Sequence, residues 1–367
     1  MRILHLDPDD IDNPLSGGGP RRTFEICRRL ARRHEISVLT PTFPGSTPEL
    51  VRDGVRYVRL GRRIGDHGSS RHITYFFALP HAVRRLSYDL LVEDFMPPAS
   101  ATLNPLFARA PVVASVQWFF ARTLAKQYHI PFHWAENAGL RLYSNFVVLS
   151  EAMRQHILAR RPKARVALIE NGVSEDLFTV PEAPGSTILY IGRVDMRQKG
   201  LDLLLQAYAL LPDPRPALVI AGFGWEWEGV ERLARELGVG GTLRFAGRVN
   251  EDQRRKLLEQ CRFVAFPSRE ETFGMVITEA CAAARPVVHF DLPPMNEVAS
   301  GAGCFSIPAF DLRAYANAMA QLLSAPDAEV AARGQACRRH VAAQRWDLIA
   351  GRQEAFYLEA CERRREA

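Results

Sequence analysis

Long apolar runs are missing from this chain of 367 residues. No stretch reaches the roughly 18 residues that a membrane-spanning helix needs, which excludes an integral protein of the helical kind. Nothing resembling a secretory leader precedes the first strand pattern, Arg2-Ile3-Leu4-His5-Leu6-Asp7. The expectation is a cytoplasmic protein, at most peripheral at the inner face of a membrane. Cysteine is sparse: Cys27, Cys261, Cys281, Cys304, Cys337 and Cys361 show neither paired nor metal-like spacing. A disulfide framework is therefore excluded, and reduced, buried thiols are expected. A phosphate-binding P-loop is absent as well, because no Gly-Lys-Ser/Thr follows the glycine run Gly17-Gly18-Gly19. Short internal repeats and low-complexity tracts are also lacking.

What is present has the proportions of a globular protein, with 47% hydrophobic and 24% charged residues. The formal net charge of +6 suits an anionic partner, but Lys and Arg are spread along the whole chain, so a solvated basic surface explains it equally well. The length fits two domains.

Short apolar runs alternate with helical periods, the pattern of βαβ units and parallel sheets. Strands are predicted at residues 2–7, 35–41, 55–61, 89–95, 111–117, 145–150 and 165–170. A helix opening at Gly17-Gly18-Gly19-Pro20 buries Phe24, Cys27 and Leu30/Ala31, with Arg21, Arg22, Arg28, Arg29, Arg32 and Arg33 on its other side. The Pro/Gly stretch 180–185 reads as a linker. The rhythm restarts with strands at 187–192, 217–222, 242–247, 263–268, 286–291 and 304–307, and the chain is mostly helical after Asp311. Two doubly wound domains follow, 1–180 and 181–345, with the expected ligand site in a cleft at the carboxyl ends of their strands.

Three clusters carry chemistry. In Ser268-Arg269-Glu270-Glu271-Thr272-Phe273-Gly274-Met275-Val276-Ile277-Thr278-Glu279, a loop carboxylate and a helix carboxylate flank backbone N–H groups that can bind an anion. A capped core helix with two solvated glutamates is the bland reading of the same residues. In Gly192-Arg193-Val194-Asp195-Met196-Arg197-Gln198-Lys199-Gly200, two cations on a strand-end loop suit a diphosphate. The glycine run 17–19 can wrap a phosphate or serve only as a flexible turn.

In this order the clusters closely resemble the retaining family 4 glycosyltransferases of the GT-B fold. The resemblance spans nearly the whole chain and includes Val148-Leu149-Ser150, Ile169-Glu170-Asn171-Gly172-Val173, Phe245-Ala246-Gly247 and the two glutamates of an E-x7-E motif. It implies two Rossmann-like domains, a terminal helix 346–367 packed back on the first, and a nucleotide-sugar donor used without metal or other cofactor. Arg193 and Lys199 would neutralise the donor diphosphate and, with Glu271, form the catalytic set. Glu271 would contact the sugar, and Glu279 the ribose. Phe273, Gly274, Met275 and Val276 would offer the donor backbone contacts, Gly18 would close over the phosphate, and Gly247 and Val249 would border the base. On family frequency UDP stands slightly ahead of GDP. Asp94, Gln117 and Trp118 are candidates for the acceptor side. The partners implied are a nucleotide-sugar and a hydroxyl acceptor, not nucleic acid.

The sequence departs from that pattern at Ala284, where relatives carry Gly; a methyl suits the position if it is helical. The loop 291–297 lacks paired glycines, and Gln117 stands where many relatives have His. A non-catalytic nucleotide-sugar binder or partner subunit is the alternative these departures support, and a GT-B epimerase ranks lower. Asp7-Pro8-Asp9 lacks the context of a metal-binding D-x-D. The aromatic and basic segment 118–143 reads as core plus acceptor pocket, with a membrane interface as the other option.

Overall fold

A computed structural model describes residues 1–14, 16–64, 70–96, 103–119, 132–299, 301 and 303–366. The chain divides into two units, 1–172 with 346–367, and 173–345.

The first unit holds β1 (Arg2–Leu6), α1 (Gly18–Leu30), β2 (Glu35–Pro41), β3 (Glu49–Arg52), β4 (Val55–Leu60), α2 (Ser70–Arg85), β5 (Leu90–Phe95), β6 (Val112–Val116), α3 (Phe132–Leu142), β7 (Asn145–Val148), α4 (Glu151–Leu158) and β8 (Arg165–Leu168). Its sheet runs β3-β4-β2-β1-β5-β6-β7-β8, parallel except for β3. The parallel strands match the predicted runs to within about two residues at each end. Their continuous apolar character follows from burial on both faces: every residue of β5 is buried. The antiparallel edge strand β3 escaped prediction because Glu49-Leu50-Val51-Arg52 is short and half charged, the usual dress of an exposed edge.

The second unit holds β9 (Thr187–Ile191), α5 (Leu201–Ala209), β10 (Leu218–Ala221), α6 (Trp227–Glu236), β11 (Leu243–Gly247), α7 (Glu251–Gln260), β12 (Cys261–Phe266), α8 (Met275–Ala282), β13 (Val287–Phe290), β14 (Phe305–Ile307), α9 (Leu312–Ser324) and α10 (Asp327–His340). Its six strands are all parallel in the order β11-β10-β9-β12-β13-β14, the doubly wound dinucleotide-fold order with its switch point between β9 and β12. The core joins Leu201, Leu204, Leu205 and Tyr208 of α5 to Ile188, Ile220 and Phe263 of the strands.

Three expectations need correction. The boundary between the units lies at Gly172/Val173, and the stretch read as a linker belongs to the second unit. There the buried Arg285 guanidinium donates to the carbonyls of Pro181 (2.9 Å) and Ala183 (3.1 Å), and Gly185 N donates to Cys261 O (3.1 Å). Arg22 does not decorate the outside of α1 but is 2% exposed. Ala284 is not helical; its φ is 54°, in the left-handed region.

The last helix, α11 (Trp346–Glu366), completes the first unit by packing on α1. Arg22 reaches it, donating to Gln353 Oε1 at 2.8 Å and to the carbonyls of Ile169 and Glu170. All these acceptors are neutral, and burial lowers the guanidinium pKa to about 10. Among the described residues, no helix is long and apolar enough to cross a membrane.

Candidate active site

The switch point of the second sheet brings together the loops after β9 and β12, which hold Arg193, Lys199, Glu271, Phe273 and Gly274. They are sewn by backbone contacts. Arg269 N and Ser268 Oγ both donate to Gln198 O (2.9 and 3.3 Å), and Arg269 grips Asp202 with two bonds of 2.7 Å. Gly200, at φ 68°, passes so close to the other loop that a Cβ would stand 2.2 Å from Pro267 O. A side chain here would force the loops apart.

This seam delivers Lys199 to Glu271: Nζ lies 2.6 Å from Oε1, with the side chains 16% and 11% exposed. Arg193 is more open to solvent; its Nη2 donates to Gln198 Oε1 at 2.5 Å, and its Nε lies 4.0 Å from Asp195. The backbone of Arg193 is fixed by Tyr190, whose hydroxyl donates to its carbonyl at 2.7 Å. Burial, reinforced by the Glu271 and Asp195 carboxylates, pushes the Tyr190 phenol well up, so it stays a donor. Tyr190 is not recognisable in the sequence, because a tyrosine inside an apolar strand carries no local sign of such a role.

Helix α8 begins just beyond Glu271. Its N-cap is Gly274 at φ 86°, and no acidic residue occupies the first turn. Ile277 N donates back to Gly274 O, so the N–H groups of Met275 and Val276 point out of the helix start, where an anion is favoured. Phe273 is buried beneath this turn.

In the second turn of α8, Glu279 is 6% exposed and accepts from Arg254 Nη1 at 2.8 Å. Arg254 comes from α7, which a capping box of Asn250 and Gln253 starts firmly after the Gly247–Val249 loop. Sequence spacing gave no hint of this cation, since 25 residues separate the partners. Gly247 takes φ 64° at the end of β11, and its carbonyl accepts from Gly222 N at 2.7 Å. Val249 is half-buried beside it. The loops after β9, β10 and β11 are thus tied into one rim, with Val194 N donating to Phe223 O at 2.8 Å.

The remaining candidates belong to the first unit. Gly18 opens α1 and is exposed. Asp94, ending β5, is 1% exposed and accepts from His5 Nε2 at 3.0 Å and Thr23 Oγ1 at 3.3 Å. Burial and the Asp94 charge push the Asp7 carboxyl well up, which favours its neutral acid over a metal-binding carboxylate. Gln117 is buried, its Nε2 3.3 Å from Ser115 Oγ, and Trp118 is half-buried. Phe119 stacks on His156 at 4.3 Å. Lys126 and His129 of the aromatic and basic segment lie outside the described residues.

Residues 16–177 match the family model described as "Glycosyltransferase Family 4", and residues 185–325 match "Glycosyl transferases group 1". A GDP-mannose:cellobiosyl-diphosphopolyprenol alpha-mannosyltransferase of Xanthomonas campestris is 27% identical over 96% of this chain and 95% of its own length. Among solved structures, a sucrose-phosphate synthase from Thermosynechococcus elongatus is similar with a TM-score of 0.80 and 19% identity, covering 98% of each chain. The Anabaena protein HepE, solved with UDP and glucose, gives 0.77 and 18%, covering 98% of this chain and 99% of its own.

Proposed function

This chain belongs to the family 4 glycosyltransferases of the GT-B fold, and we propose that it works by retention and without metal, moving a hexose from a nucleoside diphosphate to a hydroxyl acceptor. The observation that carries the reading is the Lys199–Glu271 contact beside the Gly274-headed helix at the β9/β12 switch point.

Departure of a nucleoside diphosphate builds negative charge on its terminal phosphate. An ammonium, a guanidinium and helix-start N–H groups fixed in advance stabilise that charge more in the transition state than in the ground state. Lys199 and Arg193 take this role, as a divalent ion does elsewhere. A docked diphosphate competes with Glu271 for the Lys199 ammonium, which frees the Glu271 carboxylate to accept from sugar hydroxyls. Phe273, Gly274, Met275 and Val276 supply backbone donors to sugar and phosphate. Glu279, held by Arg254, accepts from the ribose hydroxyls, and Gly247 and Val249 border the base. For the first unit taken by itself, the family resemblance assigns Gly18 to the phosphate, and Asp94, Gln117 and Trp118 are its candidates for the acceptor. In retention the leaving phosphate takes the proton of the acceptor hydroxyl on the same face of the sugar, so no carboxylate nucleophile is required.

The Xanthomonas relative, matched along almost its full length, transfers mannose from GDP-mannose to cellobiosyl-diphosphopolyprenol by its name. That name puts GDP-mannose ahead of the UDP-sugars favoured on family frequency, and makes a lipid-linked sugar the first acceptor to try. The test is nucleoside diphosphate release from GDP-mannose and UDP-glucose in EDTA, with the product anomer read by NMR. Release in EDTA with an α-linked product is expected. A β-linked product, or activity abolished by EDTA, would overturn the mechanism.

A further inference from the structure

Three of the six cysteines, dispersed in sequence, meet inside the second unit. Cys281 lies in the last turn of α8, Cys304 immediately precedes β14, and Cys337 sits on α10. Cys304 Sγ is 3.8 Å from Cys281 Sγ and 3.6 Å from Cys337 Sγ, and all three sulfurs lie within 4.8 Å of one another. Cys281 and Cys337 are buried and Cys304 is partly exposed. Among the described residues, this is the one convergence of His, Cys, Asp or Glu ligand atoms that tight. The other cysteines stand apart: Cys27 lies near His5, Cys261 donates to Leu258 O, and Cys361 to Asp89 O.

As thiols, the three sulfurs offer one another only weak S–H···S hydrogen bonds, at 3.8 and 3.6 Å. Metal ligation would hold the same triangle far more strongly. Metal–thiolate bonds of about 2.3 Å hold the sulfurs of a tetrahedral site about 3.8 Å apart, and those of a trigonal site about 4.0 Å apart. A triangle with edges of 3.6 and 3.8 Å, and a third of at most 4.8 Å, has a point roughly 2.1–2.4 Å from every sulfur. The sulfurs therefore stand at ligating distances from a common centre without moving. Their carriers are also held closely: α10 packs on the end of α8 so tightly that a Cβ on Gly334 would be 2.1 Å from Ala284 O.

We propose that Cys281, Cys304 and Cys337 form a trithiolate site for a soft, thiophilic d10 cation, Cu(I) or Zn(II). Three thiolates alone satisfy trigonal Cu(I), which is expected to be held more tightly; Zn(II) takes a water as fourth ligand on the exposed side of Cys304. Binding displaces the thiol protons and ties α8, the chain entering β14, and α10 to one centre. Segments 23 and 33 residues apart are thereby cross-linked. The site is independent of the glycosyl-transfer reading, which stands whether or not a cation binds here.

The test titrates reduced full-length protein anaerobically with Cu(I) and with Zn(II) against chromophoric chelators, and records X-ray absorption of the loaded protein. One equivalent of either ion is expected, with three sulfurs at about 2.2–2.3 Å and a melting midpoint raised by roughly 5–10 °C. Cys304→Ser should lower the affinity at least about 100-fold, whereas Cys361→Ser should leave it unchanged. Retention of neither ion, nitrogen or oxygen in place of sulfur, or a folded Cys304→Ser variant binding like the parent would overturn the proposal. The absorption spectrum decides it on the unaltered protein if the variant fails to fold.

Discussion

Lys199 and Glu271 hold one another in a partly desolvated position where the charge of either is expensive to leave alone. On the proposed mechanism, replacing either with alanine removes a group that acts on developing charge or on sugar position. Turnover should fall by about 10²–10³ in Lys199→Ala and in Glu271→Ala, and near-normal rates in both would remove the proposed site. Glu279→Ala should chiefly weaken nucleoside diphosphate binding, measured by titration calorimetry. Arg254→Met should weaken it in the same direction, because the carboxylate loses the guanidinium that orients it; unchanged affinity in both variants would refute the ribose role. In the first unit, Asp7 offers a test by pH. Its folded pKa is raised, chiefly by burial and then by Asp94, so the folded state binds this proton more tightly than the unfolded chain. The stabilisation is complete below the ordinary aspartate pKa and is lost as pH rises toward the folded value. Asp7→Asn keeps a neutral group, so it should be more stable than the parent at pH 7–8, with the gap closing near pH 4 in urea titrations.

Among the elements, α8 joins the most consequences. Its start carries the turn proposed to bind the phosphate, its second turn carries Glu279, and its last turn carries Cys281. Just beyond it, Ala284 occupies a left-handed conformation while buried against α10. An alanine there costs about 1–2 kcal/mol relative to a residue free of the Cβ clash, and glycine returns roughly 0.5–1 kcal/mol of that as lost backbone entropy. Ala284→Gly should therefore raise stability by about 0.5 kcal/mol in chemical denaturation, without changing the denaturant slope. Glycine at this position, which resemblance to the family leads one to expect, thus has a conformational reason. The sequence could not show it, because a residue after a helix has the same local pattern whether it continues the helix or turns left.

For the molecule as a whole, the last helix belongs with the first unit although the second intervenes in the chain. Trp346 anchors it, 1% exposed and packed against Gly172, where any side chain would overlap the indole. Trp346→Ala should destabilise the first unit by about 3–5 kcal/mol, seen as an earlier melting transition. Nucleoside diphosphate affinity should stay near the parent value, since the candidate donor residues on the β9 and β12 loops lie in the second unit. A parallel loss of nucleotide binding would contradict that division.

The strand positions, the parallel architecture and the candidate loops were legible in the sequence because each depends on residues near one another in the chain. Alternation of apolar runs with helical periods marks βαβ units; Gly192-Arg193, Lys199-Gly200 and Glu271 lie on the loops that follow β9 and β12, and Glu279 lies in the helix beyond. Arg22, Arg254 and the cysteine triad were not legible. Arg22 reads as one more surface arginine until Ile169, Glu170 and Gln353 close around it. Arg254 becomes the partner of Glu279 only when α7 is laid beside α8, and Cys281, Cys304 and Cys337 become neighbours only when α10 folds over both. Local pattern records which face of an element is buried; which side chains meet there is decided by sheet order and helix packing, interactions over long stretches of chain that no short window contains.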